Sequence, residues 1–526
     1  MFNRKDRERL ARILEDEIYL YEPRGGGRYQ IALLFPNTYS AGMSNLGFHI
    51  LELILRSNED VYLERFFYEP RLRPLGRSLE NGIPLKDFKM VVATAPYELD
   101  YRNLLEMLKG GGVPLHTQQR GENIPLVIVG GIAPSANPEP LADFADAVYI
   151  GEAEAVFSSV VDMVIKSQHL GQSRKHVLLE LEKFDGVYIP SLYQSIFRGE
   201  QLASFHPLIG GVRESVVRTY IKDLEKYPYH TQTLTPHTEL SNMVLLEPCR
   251  GCNRGCSFCM AGCGYLPFRS RSLENVLAMV DGVGDKGGRF GLVATSVGDY
   301  PHLKELFKEM KKRGFSVGIS SFRADIMDGE SLEVLHQLGQ KTFTIAPEVG
   351  SDLTRKEIGK GLTNQQIMEF VQLCNQLGVG AVKFYFMLGI SPDLAEEAQA
   401  MLDLVFEIDR KAKFEMAISL APFVPKAHTP FALRTTHQVA TLKREANRIE
   451  SALRKNHIYD FRPDSIRLAR AATLLSLGDR RAGKYLESVV AQGSWLRVPG
   501  EFDDVIPREG SYLPWKHIDW QGKGFD

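Results

Sequence analysis

The 526-residue sequence predicts an α/β protein. It reads as an N-terminal Rossmann-like, doubly wound domain, a central partial (β/α)6 barrel and a C-terminal helical cap. Three observations carry this. Short apolar runs alternate with amphipathic helical stretches up to Phe431, the pattern of parallel β/α units. Five of the six cysteines fall in one stretch, "EPCRGCNRGCSFCMAGCGY" (Glu247–Tyr265), directly after one such run. Beyond Phe431 the sequence turns helical and charged. The expected division is 1–165, a connector over 166–240, a barrel over 241–432 and a helical region over 433–526.

A chain of this length is expected to build two or three domains with real cores. Its net charge of −2 gives no global case for a nucleic acid or an anionic membrane. The N-terminus, "MFNRKDRERLARILEDEIYL", reads as a charged amphipathic helix and not as a signal peptide. No run of about 18 uncharged apolar residues predicts a membrane span. The expected location is cytoplasmic.

In the first domain, "YQIALLFPNTYSAGMSNLGFHILELILRS" reads as strand, glycine-containing loop and helix. "KMVVATAPYELDYRNLLEMLKGGGVPL" repeats the plan. "PLVIVGGIAPSANPEPLADFADAVYIGEAEAVFSSVVDMVI" adds strands at Pro125–Val129 and Ala147–Ile150. This is a doubly wound pattern, which places ligand loops at strand ends. No G-x-G-x-x-G or Walker loop is present. Residues 166–240 mix a charged helix, short strands such as "GVYIP", and the polar "KYPYHTQTLTPHTEL".

The barrel segment begins with the apolar run Met243–Leu246. Five further runs follow: "RFGLVATS", "FSVGISSF", "KTFTIAPEV", "GAVKFYFMLG" and "FEMAISLAPFV". Helical stretches separate them. Ligands gather at the C-terminal ends of such strands.

The cysteine stretch does not read as a disulfide framework. Such frameworks belong to small secreted chains with dispersed cysteines, and residues 1–248 contain none. One compact thiol run suggests soft-metal ligation. A structural zinc site usually takes two ligand pairs separated by a longer spacer. Within the run, Cys252, Cys256 and Cys259 give C-x3-C-x2-C, with Phe258 just before the third cysteine.

At these residues the sequence resembles the radical S-adenosylmethionine (SAM) superfamily. The resemblance implies a 4Fe–4S cluster on Cys252, Cys256 and Cys259. One iron is left open to chelation by the amino and carboxylate groups of SAM. An electron from the cluster then cleaves SAM to a 5′-deoxyadenosyl radical, and a reductant such as flavodoxin or ferredoxin supplies it. Three protein ligands leave one coordination position for chemistry, as in other open metal sites.

The resemblance also implies where SAM is held. Val297, Gly298 and Asp299 occupy the place of the superfamily's Gly-Gly-Glu motif. Ser320, Ser321 and Arg323 follow the third strand. Glu348 and Arg355 follow the fourth as polar contacts. "FMLGISPD", which includes Gly389, is similar to the Gly-x-Ile-x-Gly stretch that packs against adenine. Taken singly, each reads equally as a helix cap or a strand-end turn.

The other thiols divide differently. Cys249 reads as a small apolar residue in preference to a spare ligand. Cys263, in the "MAGCGY" turn, is open between that reading and a catalytic one, as a hydrogen-atom donor near substrate. Cys374 falls on an apolar helical face and reads as core.

The order "VGG…PEPLADFADAVYIGEAE" resembles the cobalamin-binding-type domain that precedes many radical SAM domains, and "APYELDYRNLLEML" resembles one subgroup of these fused proteins. Carried over, a corrinoid crevice involves Asn37, Tyr39, Gly42, Gly130, Gly131, Gly151 and Glu152. The sequence departs from the D-x-H-x-x-G pattern of domains that ligate cobalt through histidine: here Asn37, Tyr39 and Gly42 stand at that spacing. Three readings stay open. The domain binds cobalamin without a protein histidine ligand, binds another ligand, or is a vestigial scaffold.

Between Lys443 and Arg497, 12 Lys and Arg stand against 6 Asp and Glu. A solvated helical face is the preferred reading over an anionic partner such as RNA. The tail "SYLPWKHIDW", with Trp515 and His517, resembles the end of the same subgroup. The expected function is a radical SAM enzyme, foremost a cobalamin-dependent methyltransferase acting on an unreactive carbon. The alternatives are a cobalamin-independent radical catalyst and a non-enzymatic iron–sulfur sensor. A methylthiotransferase is disfavoured because the N-terminal half lacks the cysteines for a second cluster. The sequence does not identify the substrate.

Overall fold

A seven-residue run that is apolar at nearly every position suits a strand covered on both faces. β1 (Tyr29–Phe35) is such a run, and only Gln30 along it is less than buried. The computed structural model describes residues 2–21, 27–227, 230–284 and 286–526. Residues 228 and 229 of the expected connector lie outside these. The described residues fall into two compact units. The first holds residues up to 223, 230–242 and 472–526. The second holds 224–227 and 243–471.

The first unit is built on a six-stranded sheet. β1 is followed by β2 (Val61–Phe67), β3 (Met90–Thr94), β4 (Leu126–Gly130), β5 (Ala147–Tyr149) and β6 (Val187–Tyr188). The spatial order is β2-β1-β3-β4-β5-β6, parallel except for the antiparallel β6. The order reverses between β1 and β3. In doubly wound sheets that switch point opens a ligand crevice at the C-terminal strand ends. Helices Leu46–Arg56, Asp100–Gly110 and Phe157–His169 follow β1, β3 and β5. The first is capped by Asn45, whose side chain accepts from Phe48 N.

The stretch read as a connector folds within this unit except for residues 224–227. It supplies helix Arg174–Leu181, β6, a hairpin of Tyr193–Arg198 with Gln201–Pro207, and β7 (Val216–Ile221). β7 pairs in parallel with the strand Ile518–Phe525. The C-terminal region is therefore not helical throughout. Its residues up to 471 belong to the second unit and the remainder to the first.

The second unit is a series of parallel strands, each followed by a helix that covers one face. β8 (Val244–Leu246), β9 (Arg289–Leu292) and β10 (Ser316–Ile319) form one sheet. β11 (Thr342–Glu348), β12 (Ala381–Leu388), β13 (Glu415–Pro422) and β14 (Phe461–Pro463) form another. A parallel bridge between Phe322 and Ile345 joins the two. β14 is a seventh strand beyond the six in the sequence pattern. At three residues it carries no periodicity, and its proline is tolerated at a sheet edge. No helix among the described residues is long and apolar enough to cross a membrane.

Candidate functional site

The cysteine loop leaves the C-terminal end of β8, where ligands of parallel β/α units gather. Two glycines in left-handed conformation shape it. At Gly251 (φ 93°) a Cβ would come within 2.6 Å of the Tyr265 carbonyl oxygen, and Gly255 has φ 69°. Phe258 anchors the loop by packing against Val349, Ile358, Ile390 and Phe423. Ser257 N donates to the Ile358 carbonyl at 2.9 Å, and Phe431 N donates to the Ser257 carbonyl at 3.0 Å.

Cys252, Cys256 and Cys259 are all half-buried and free of disulfides. Cys259 caps the short helix Met260–Gly264, its Sγ accepting from Gly262 N at 3.3 Å. Cys256 Sγ lies 3.6 Å from the Gly359 carbonyl. The thiols are close enough to feel one another's charge. Burial pushes the Cys259 thiol up, the Gly262 N–H opposes this, and Cys252 adds to it. Burial likewise raises Cys256, with Lys360 opposing and Cys259 adding. Three neighbouring thiols on one loop suit a cluster, in which the thiolates are spread over several irons.

The flanking thiols differ. Cys249 is fully buried, pairs across to Ser270, and points its thiol at the Ser296 carbonyl 3.7 Å away. Burial pushes it up to about 12. Cys263 is half-buried, raised first by burial and then by Cys259. Cys374 is fully buried in the core of helix Asn364–Leu377.

Strand ends bring charge pairs to this loop. After β9, Val297–Asp299 form a single 3-10 turn. Val297 is buried, and a Cβ at Gly298 would press on Ile326 at 3.2 Å. Asp299 pairs with Arg254 of the cysteine loop. After β10, Ser321 is exposed, while Arg323 pairs with Asp325 at 2.8 Å and donates to the Lys360 carbonyl at 2.6 Å. Glu348 ends β11 with φ 69°, a strained conformation for a residue with a side chain, and Lys360 pairs with it at 2.8 Å. Lys360 was not singled out from the sequence. The glycines on either side of it, Gly359 (φ 73°) and Gly361 (φ 68°), were the available signal.

Arg355 is a correction to the expected SAM contacts. It is fully buried, and its guanidinium donates to the Leu362 and Val349 carbonyls, Asp352 and Asn364. It braces the loop after β11 and offers no surface to a ligand. Gly389 (φ 95°) is also buried. A Cβ there would meet Leu442 Cδ2 at 2.8 Å. Its turn is gripped by Glu397, which accepts from Gly389 N at 2.8 Å and from Ile390 N and Ser391 N at 3.3 Å.

In the first unit, Asn37 stands at the switch point. Its side-chain amide donates to Asp100 at 3.0 Å, and burial pushes Asp100 up to about 6 against that bond. Gly130 would bring a Cβ into ordinary contact with Tyr149 at 3.7 Å, and Gly131 (φ 109°) approaches the Ala95 carbonyl too closely for any side chain. Tyr39 departs from expectation. It is buried, and its hydroxyl donates to Glu17 at 2.7 Å. Glu17 in turn forms two bonds with the fully buried Arg65, at 2.9 and 2.7 Å. Gly42 is a packing glycine: a Cβ would lie 2.4 Å from the Phe67 ring. Gly151 and Glu152 are likewise corrected. β7 covers this turn, with Thr219 backbone 2.2 Å from a Cβ at Gly151 and Ile221 N donating to Glu152 at 3.0 Å. A distant strand fills the place expected for a ligand.

Comparisons with known proteins agree with this architecture. Residues 246–405 match the family model of the Radical SAM superfamily, and residues 47–190 match that of radical SAM proteins, N-terminal. An uncharacterized protein of Methanocaldococcus jannaschii, MJ0966, is 28% identical over 93% of this chain and 98% of its own length. An uncharacterized methyltransferase of Pyrococcus horikoshii, PH0819, is 21% identical over 55% of this chain and 59% of its own. The structure of the radical SAM methyltransferase TsrM from Kitasatospora setae, with cobalamin and a [4Fe-4S] cluster bound, superposes with a TM-score of 0.50. The match is at 13% identity, over 78% of this chain and 74% of that one. With both family matches in the order of its two halves, and three half-buried cysteines at the end of the first barrel strand, the chain belongs to the radical SAM superfamily.

Proposed function

We propose that this chain is a cobalamin-dependent radical SAM methyltransferase, with Cys252, Cys256 and Cys259 as the ligands of a 4Fe–4S cluster. The observation that carries the cluster reading is the loop itself. Three half-buried thiols, free of disulfides, sit on one loop at the C-terminal end of β8, and a cluster spreads such thiolates over several irons. When bound, the cluster supplies the electron that cleaves SAM, and a corrinoid supplies a methyl carrier.

The chain's own residues do the rest. Phe258 fixes the loop against the core. Arg254 and Lys360 hold Asp299 and Glu348 at the strand ends, where the ammonium and carboxylate of SAM need partners. The Gly389 turn, with Leu442 over it and Glu397 beneath, would meet an adenine only at its edge. The N-terminal domain presents Asn37, Gly130 and Gly131 at its strand ends. Tyr39 is committed to Glu17, so its hydroxyl is not offered to cobalt.

A second reading has a specific observation behind it. The turn at Gly151 and Glu152 is closed by β7, which favours a cobalamin-independent catalyst with a scaffolding N-terminal domain. Anaerobic reconstitution with iron, sulfide and hydroxocobalamin separates the two. The methyltransferase reading expects retained corrinoid, a Co(II) paramagnetic signal without nitrogen splitting from a protein imidazole, and S-adenosylhomocysteine among the products. SAM cleavage to 5′-deoxyadenosine without retained corrinoid supports the second reading. No SAM cleavage from a fully loaded cluster overturns both.

A further inference from the structure

The face of β12 opposite its buried side chains carries a cation that the SAM and cluster reading does not use. In a strand, alternate side chains point to opposite faces. On β12, Val382, Phe384, Phe386 and Leu388 are buried on the helix-covered face. Lys383, Tyr385 and Met387 therefore stand on the other face, and none of them is buried. The strands beside them contribute little bulk there. Thr344 of β11 is in register with Lys383. Ala417, Ser419 and Ala421 of β13 are in register with Lys383, Tyr385 and Met387.

Lysine is seldom withdrawn from water without a charged partner. Lys383 is half-buried, and among the described residues no carboxylate lies within ion-pair distance of it. Its ammonium rests over the Tyr385 ring, 4.9 Å from the centroid. The nearest acid in the strand register, Glu415, is exposed at the start of β13, one pair away, and makes no ion pair with it. The next cation, Arg462, in register with Ser419, is already paired with Asp460 at 2.6 Å.

The face also has a direction. Met387, at the upper end, packs against the cluster of side chains that holds Phe258 of the cysteine loop. Lys383 lies four residues further from that end, roughly 13 Å along the strand. We propose that Lys383 and Tyr385 form the anchoring subsite for an anionic group, a carboxylate or phosphate, on the substrate. The reacting carbon would then lie toward Met387 and the cysteine loop. This deepens the radical SAM reading and rests on it. It names the substrate class as an elongated molecule with a terminal anion that meets Lys383 beside the Tyr385 ring.

The test uses the cluster-reconstituted full chain with SAM and three probes: phenylacetate, phenyl phosphate and benzyl alcohol. Titration calorimetry is expected to show one or both anions binding at least tenfold more tightly than the neutral alcohol. The stronger anion identifies carboxylate or phosphate as the recognised group. Lys383→Met is expected to weaken anion binding on the order of tenfold or more, as loss of a charge-assisted hydrogen bond does, and Lys383→Arg to retain most of it. Should Lys383→Met not fold, reductive methylation of the unaltered chain followed by mass spectrometry replaces it. The anion is then expected to protect Lys383 from modification. Anions that bind no better than benzyl alcohol, unchanged binding in Lys383→Met, or no protection of Lys383 would each overturn the proposal. Dithionite-driven SAM cleavage by the unaltered chain is measured alongside. Its absence counts against the radical SAM reading, whereas its persistence with failed anion binding removes only the substrate class.

Discussion

Arg254 Nε donates to Asp299 Oδ2 at 3.1 Å, and this pair ties the cysteine loop to the turn that ends β9. Arg254 lies between the first two cysteines of the C-x3-C-x2-C motif, and Asp299 closes the turn Val297–Asp299 after β9. The Arg254 side chain is 38% exposed and that of Asp299 17%, so solvent screens much of the attraction. A double-mutant cycle of Arg254→Gln and Asp299→Asn is expected to give a coupling of only about 0.2–1 kcal/mol in thermal stability. The effect on the loop should be larger than the effect on the fold. Each single variant is expected to release iron to a chelator faster than the parent chain, and the double variant no faster than the worse single. Additive release rates would show that the two residues act separately.

The thiols should sort by environment. Cys252→Ala, Cys256→Ala and Cys259→Ala are each expected to lose the cluster's broad visible absorbance and all SAM cleavage. Cys249→Ser is expected to keep both. Its hydroxyl can donate to the same Ser296 carbonyl, and the site is fully buried and far above the range of a thiolate at neutral pH. Cys263→Ala should keep the cluster, and its turnover decides whether that thiol serves chemistry. Iron and sulfide content per chain, read with the absorbance, checks the assignment.

The parallel strands were legible because strands buried on both faces read as unbroken apolar runs. The cysteine loop was legible because its spacing is chemical. What stayed hidden was non-local. Nothing near Gly151 indicates that β7, some 65 residues later, closes over it; a glycine at a strand end looks the same whether a ligand or another strand approaches it. Arg355 shows the same ambiguity for charge: a sequence gives the guanidinium but not the carbonyls that consume its donors. Tyr39 and Glu17 are 22 residues apart, and only the fold brings them to Arg65. In the sequence Lys360 lies among ordinary turn residues, and only the fold brings it to the left-handed Glu348.

That pairing gives the third prediction. The Lys360 and Glu348 side chains are 11% and 13% exposed, so neither charge is well served by water if the other is removed. Lys360→Met is expected to lower stability by about 1–3 kcal/mol, the cost of leaving a largely buried carboxylate without its cation. Adding Glu348→Gln should recover part of that loss, because the orphaned charge is then gone. Thermal midpoints of the parent chain, the single variant and the double variant measure it. A double variant as unstable as the single one would mean that the loss comes from the packing of the Lys360 side chain and not from an orphaned Glu348 charge.

The Gly389 turn gives a pH dependence with a definite sign. Glu397 is buried on helix Leu394–Lys411. Burial pushes its carboxyl up from an ordinary 4.5 to about 7, while the N–H groups of Gly389, Ser391 and Ile390, and then Arg434, pull the other way. His437 touches the same turn through the Ser391 carbonyl at 2.7 Å. A carboxyl whose pKa is higher folded than unfolded binds its proton more tightly in the folded chain. Its contribution to stability is therefore complete below about 4.5 and is lost as pH rises through about 7. The full shift corresponds to about 3 kcal/mol, an upper estimate that turn relaxation would reduce. Glu397→Gln cannot ionise, so its thermal midpoint should lack this fall between pH 4.5 and 7. The difference between the two pH profiles isolates Glu397 from every other titrating group. Parallel profiles would show that the carboxylate is held ionised throughout by its backbone donors, and the pH dependence would have to come from elsewhere in the chain.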